Sequence, residues 1–163
     1  MPFNTLLLSC LHHGTSASEN NVSVSVKPQN GETVLFFHTD TDVACRDLQI
    51  QRGEPVCDYL VFYKKEARTV ICLLELKGNN TDHAIEQIFS TCEHLKIRLS
   101  EDLRGKAGWL HFQQVEWKAY ICTGVNSAIS PSKAYAKKIE KAFRSTKNFK
   151  ITHSDELGDF LRK

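Results

Sequence analysis

Val22, Val24 and Val26 alternate with Ser23 and Ser25, the period of a strand with one buried face. Lys27-Pro28-Gln29-Asn30-Gly31 then turns the chain into the apolar run Thr33 to His38, so that these two strands are expected to form a hairpin. A second hairpin is predicted by residues 57–78, CDYLVFYKKEARTVICLLELKG, where two β-branched and aromatic runs flank the charged segment Lys64-Lys65-Glu66-Ala67-Arg68. Beyond it the period becomes helical. Ile85, Ile88, Phe89, Cys92, Leu95 and Leu99 predict a helix from about Asp82 to Leu99 with Thr81 as N-cap.

Glu116 to Gly124 reads as a further strand, and Ser130-Pro131 opens another helix whose buried stripe is Tyr135, Ile139, Ala142 and Phe143. Phe149 to Thr152 fits an edge strand, and Ser154-Asp155-Glu156 caps a short terminal helix. Three stretches are less regular. Thr5 to Leu11 suits a strand or a short helix, Cys45 to Ile50 alternates like a strand, and the polar connection 100–116 leaves room for a strand over Trp109 to Val115. Together these elements predict an α/β domain, a central mixed β-sheet flanked by helices.

The second hairpin carries the chemistry. A turn centred on Glu66 and Ala67 sets Asp58 opposite Glu75, since both are equally distant from that centre. Like charges facing each other across a strand pair repel, and a shared divalent cation offsets that cost. Glu75 and Lys77, two residues apart, project from the same face of their strand. The strand leading to them, Val70-Ile71-Cys72-Leu73-Leu74, is apolar on both faces, as in a central strand. Carboxylate oxygens with positions left for water and phosphate suit Mg²⁺, and a neighbouring lysine can act on the attacking water or on the charge that develops on phosphate. The implied reaction is phosphodiester hydrolysis.

An aspartate at a strand start followed by Glu-x-Lys at the end of the next strand resembles the PD-(D/E)XK nuclease superfamily. The wider string Gly53-Glu54-Pro55-Val56-Cys57-Asp58-Tyr59-Leu60, then Glu75-Leu76-Lys77-Gly78, then His83-Ala84-Ile85-Glu86-Gln87, is similar to small prokaryotic members, over residues 45–125. Cys57 stands where a proline usually precedes the aspartate. The resemblance implies a restriction-endonuclease-like fold in which the strand at 116–124 joins the sheet in parallel. It further implies that Asp58, Glu75 and the Leu76 carbonyl hold Mg²⁺ or Mn²⁺, that Lys77 is catalytic, and that Gln87 faces the site and orients water or substrate. Members often add an acid from a first helix; Glu19, Asp47 and Glu54 are the candidates here. DNA is the expected substrate, with RNA the other candidate polymer. A homodimer, as in a Holliday-junction resolvase, or a protein partner in a defence or repair complex is expected if cleavage is specific.

Composition changes little of this. The 163 residues suit a single domain over 1–163, and 41% apolar with 25% charged residues is ordinary for a soluble protein. A net charge of +2 does not argue for nucleic-acid binding. Its distribution does: Lys133, Lys137, Lys141 and Arg144 share one face of the helix after Pro131, the candidate nucleic-acid-binding surface. Six cysteines without CxxC spacing read as reduced, buried thiols, and no run is long enough to span a membrane, so a cytoplasmic protein is expected. His12, His13 and His83 read as surface residues.

Overall fold

The computed structural model describes residues 6–19, 21–77, 80–102, 115–125 and 130–163. Its centre is a five-stranded sheet of β3 (Glu32–His38), β4 (Tyr59–Lys65), β5 (Arg68–Lys77), β6 (Val115–Thr123) and β7 (Phe149–Thr152), in that spatial order. β3, β4 and β5 are antiparallel neighbours, whereas β6 joins β5 and β7 joins β6 in parallel. The mixed sheet with flanking helices is the α/β architecture the sequence predicts.

The β4–β5 hairpin has the expected register. Lys65 pairs with Arg68 and Tyr59 with Leu74. Two residues, Glu66 and Ala67, make the turn, and Glu66 takes φ 53°, as turns that match strand twist require of their first position. Alternation along these strands gives the sheet two apolar faces. Leu60, Phe62, Ile71, Leu73, Ala119 and Ile121 pack under α2 (Thr81–Asp102) and α3 (Lys133–Phe143) with Ile85, Ile88, Ile139 and Phe143. Val61, Val70, Cys72, Leu74 and Tyr120 pack on the other face with Val24 and with Leu157, Phe160 and Leu161 of α4 (Leu157–Arg162).

The first hairpin differs from expectation. β2 (Val22–Ser25) pairs with β1 (Ser16–Glu19) in a separate two-stranded sheet, and β3 pairs with β4 instead. A tight turn with Asn21 at φ 62° brings Glu19 opposite Val22, so the local partner wins over the segment beyond Pro28. Thr5 to Leu11 contains a 3₁₀ turn, Leu8–Cys10, in its described part.

The strand-like alternation at Cys45–Ile50 is also overridden. A short helix, α1 (Asp42–Leu48), begins where the Thr41 hydroxyl accepts the Ala44 N–H (3.1 Å). Ala44 and Leu48, four residues apart, are buried on one helical face, and Gln49 ends the helix at φ 58°. Smaller shifts occur elsewhere. The Asn80 side chain, not Thr81, accepts the His83 N–H at the start of α2, and α3 starts at Lys133 after Ser132 instead of at Ser130-Pro131. Of the strand considered over Trp109 to Val115, residues 109–114 lie outside the described residues, as does Gly78, and Val115 opens β6.

The terminal helix is tied down by charge. The Arg162 guanidinium forks onto both carboxylate oxygens of Glu32 (3.0 and 3.0 Å), which also accepts the Tyr63 hydroxyl (3.1 Å) and the Gln29 N–H (2.8 Å). Arg68 and Lys118 donate to the carbonyls of Arg162 (2.7 Å) and Phe160 (2.8 Å), closing the helix's C-terminal end with cations. All six cysteines are free thiols, five of them buried. No helix among the described residues is long and apolar enough to cross a membrane.

Candidate active site

Asp58 stands one residue before β4, and Glu75 lies two residues before the end of β5. Continuing the Tyr59–Leu74 register sets them opposite each other on the face that α2 covers. The ladder is completed there by side chains. Glu75 Oε2 accepts the Asp58 N–H (3.1 Å), and Asp58 Oδ2 accepts the Leu76 N–H (2.7 Å). Each carboxylate therefore holds the other strand's backbone, and the pair is almost fully enclosed, with Asp58 3% and Glu75 1% exposed.

Burial of two like charges has an electrostatic cost. Desolvation pushes the Asp58 carboxyl well above the carboxylate range. The Leu76 N–H opposes this, whereas the Glu19 carboxyl, hydrogen-bonded to Asp58, and the Asp40 charge add to it. Burial likewise raises Glu75, followed by the charge of Asp58; Lys77 and the Asp58 N–H pull the other way. The metal-free pair thus retains protons at a pH where ordinary carboxylates are ionised.

Lys77 continues the Glu75 face, with Nζ 3.6 Å from Glu75 Oε1. The same ammonium donates to Gln87 Oε1 (3.1 Å), while Gln87 Nε2 donates to the Val56 carbonyl (2.8 Å). Gln87, on the first turns of α2, so joins the lysine to the strand leading into Asp58. Leu76 points its side chain into the opposite core, and its N–H is held by Asp58.

Of the candidate further acids, Glu19 reaches the site. It comes from the end of β1, on the side of the sheet opposite α2, and not from a helix. Asp47 instead accepts the Leu7 N–H (3.1 Å), and Glu54 faces His94 (3.2 Å). Asp40, which was not singled out from the sequence, lies close enough to act on Asp58. No periodicity marks it, because it sits in the irregular link between β3 and α1. A cleft of about 800 Å³ lined by Asp40, Arg46, Arg52, Glu54 and Val56 adjoins the site. His83 is at the surface beside Glu86 (3.7 Å).

Lys133, Lys137, Lys141 and Arg144 are all exposed on or just after α3. Tyr135 near the head of α3 donates to Glu86 (2.7 Å), the residue before Gln87, so the basic helix starts beside the end of α2 that faces the site.

Among the described residues, no group of three or more His, Cys, Asp or Glu side chains forms a ready-made metal cage. The site offers two enclosed carboxylates with lysine and glutamine beside them, and Mg²⁺ is commonly held by one or two carboxylates with water and substrate phosphate completing its shell. Compared with protein-family models, with curated proteins and with solved structures, the chain matches none.

Proposed function

We propose that the chain is a metal-dependent nuclease of the PD-(D/E)XK type, with a restriction-endonuclease-like fold, that hydrolyses phosphodiester bonds in DNA. The supporting observation is the enclosed Asp58–Glu75 pair with Lys77 and Gln87 on one sheet face. A buried pair of carboxyls kept from ionising is costly to stability and useful to chemistry. The hairpin, the helix crossing over it and the parallel strand that follows agree with that fold.

Asp58 and Glu75 would hold Mg²⁺ or Mn²⁺, with the Leu76 carbonyl as a further ligand. When bound, the cation would replace the protons the pair otherwise keeps, polarise the scissile phosphate and acidify a water molecule. The chain's own groups do the rest. Lys77 Nζ, fixed between Glu75 and Gln87, is placed to orient the attacking water and to balance the negative charge gathering on phosphate. Gln87 holds that ammonium in place through Oε1 while anchoring itself on Val56. Water is the nucleophile, so no covalent enzyme intermediate forms. The cleft beside Asp40 gives room for the strand flanking the scissile bond, and the α3 lysines supply backbone contacts.

Incubation of linear, circular, single-stranded and branched DNA, and of RNA, with Mg²⁺, Mn²⁺ or EDTA tests this reading. Metal-dependent cleavage that Lys77→Ala removes is the expected result. Binding without cleavage of any substrate by wild type would replace it with a non-catalytic subunit of a larger complex. For the basic helix, Lys137→Glu combined with Lys141→Glu should weaken DNA binding about tenfold or more near 0.1 M salt, and the difference should shrink as salt rises. Equal binding by wild type and variant at all salt concentrations would make α3 a solvated face.

A further inference from the structure

Asp58 precedes β4, and one backbone hydrogen bond from Thr39, continuing the β3–β4 register, is all the ladder that reaches the segment Val56-Cys57-Asp58. Apart from that bond, its backbone is held mainly by side chains. The Cys57 N–H donates to the Thr91 hydroxyl (2.9 Å), which in turn donates to the Gln87 carbonyl (2.9 Å) one turn earlier in α2. The Thr39 hydroxyl donates to the Cys57 carbonyl, and the Thr39 N–H to the Asp58 carbonyl (2.9 Å). Gln87 Nε2 takes the Val56 carbonyl and Glu75 the Asp58 N–H. Thr39, Cys57 and Thr91 are all 0% exposed.

We propose that Thr91 and Thr39 are positioning residues that clamp both backbone polar groups of Cys57 and thereby set Asp58 against Glu75. A hydroxyl buried in such a place has no water to fall back on, so each hydrogen bond is held at full geometry. The clamp also explains why position 57 is not a proline. Its N–H is a required donor to Thr91, which a proline lacks. Because Thr91 binds the Gln87 carbonyl, the same hydroxyl fixes the helix turn that carries the lysine's partner. Two strands and a helix are thus referenced to one point beside the carboxylates.

The clamp deepens the metal-site reading given above, but it can be read without metal. The Asp58 and Leu76 amides, both bound to the facing carboxylates, report where Asp58 sits. In the metal-free full chain, Thr91→Val should lower hydrogen-exchange protection of these two amides about tenfold, while ladder amides of Val61 and Cys72 keep theirs. Thr91→Ser, which restores the hydroxyl, should restore protection. With Mn²⁺ as probe, Thr91→Val should bind about tenfold more weakly than wild type, as supports behind metal ligands commonly require, and Thr91→Ser should bind as wild type does. Unchanged protection at Asp58 and Leu76, or an equal loss throughout the ladder, would overturn the clamp, as would failure of the serine variant to restore it. The expected exchange pattern in a protein that binds no Mn²⁺ would uphold the clamp and overturn the metal site, so the two proposals fail separately.

Discussion

Glu75→Gln should reduce cleavage by about a thousandfold and, in the same protein, raise stability. The two effects share one cause. Glu75 is enclosed beside Asp58 and its carboxyl is pushed up, by burial first and by the Asp58 charge next. Below the ordinary carboxylate range the folded and unfolded chains both carry the proton, and the carboxyl costs nothing. As pH rises through that range the unfolded chain releases its proton while the folded chain still keeps it, so stability falls until the raised value is passed. Glutamine, which has the shape of the protonated acid and never ionises, escapes this loss. The metal-free variant should therefore be more stable than wild type by about 2 kcal/mol at pH 8, with the gain shrinking toward zero near pH 4. Thermal melts across that range measure it. A variant less stable at pH 8 would mean that the pair is held ionised without strain. Mg²⁺ or Mn²⁺ should stabilise wild type more at pH 8 than at pH 5, because binding needs the deprotonated pair.

Glu32→Ala should have the largest effect on folding, a loss of about 3 kcal/mol, because it leaves the Arg162 guanidinium without its forked partner beneath the terminal helix. For a chain of this size that corresponds to a drop of roughly 6–12 °C in Tm. Here the linkage has the opposite sign. Arg162, with support from the Gln29 N–H and the Tyr63 hydroxyl, lowers the Glu32 pKa to about 2. Its contribution is complete above the ordinary carboxylate range and disappears as pH falls toward 2. The gap between wild type and variant should close over that acid interval. A gap that stays constant with pH would assign the loss to packing instead of charge.

The candidate site was more legible in the sequence than the scaffold around it. A turn placed at Glu66-Ala67 fixes every pairing in the β4–β5 hairpin, so facing residues follow by counting, and Asp58 against Glu75 needed no tertiary information. Gln87 was reached through the resemblance and not through spacing, since the helical period alone sets it off the apolar stripe of Ile85, Ile88 and Leu95. Partners across long separations were not accessible in this way. Glu19 arrives from the β1–β2 hairpin, whose place on the far face of the sheet depends on Val22 and Val24 packing against strands more than thirty residues away. Thr39 and Thr91 are unremarkable in sequence because each is defined by the backbone group it meets. Helix α1 was hidden because a seven-residue element offers too few periods to outweigh an accidental alternation, and its cap at Thr41 carried the decisive information.

Calorimetric titration of the metal-free protein with Mn²⁺ at pH 7, in two buffers of different ionisation enthalpy, tests the central claim most directly. A buried pair that keeps protons until a cation takes their place should bind Mn²⁺ with release of about one proton per ion, and Asp58→Asn should abolish both the binding and the release. Binding of equal strength in Asp58→Asn, or no binding by wild type, would contradict a metal site at Asp58 and Glu75.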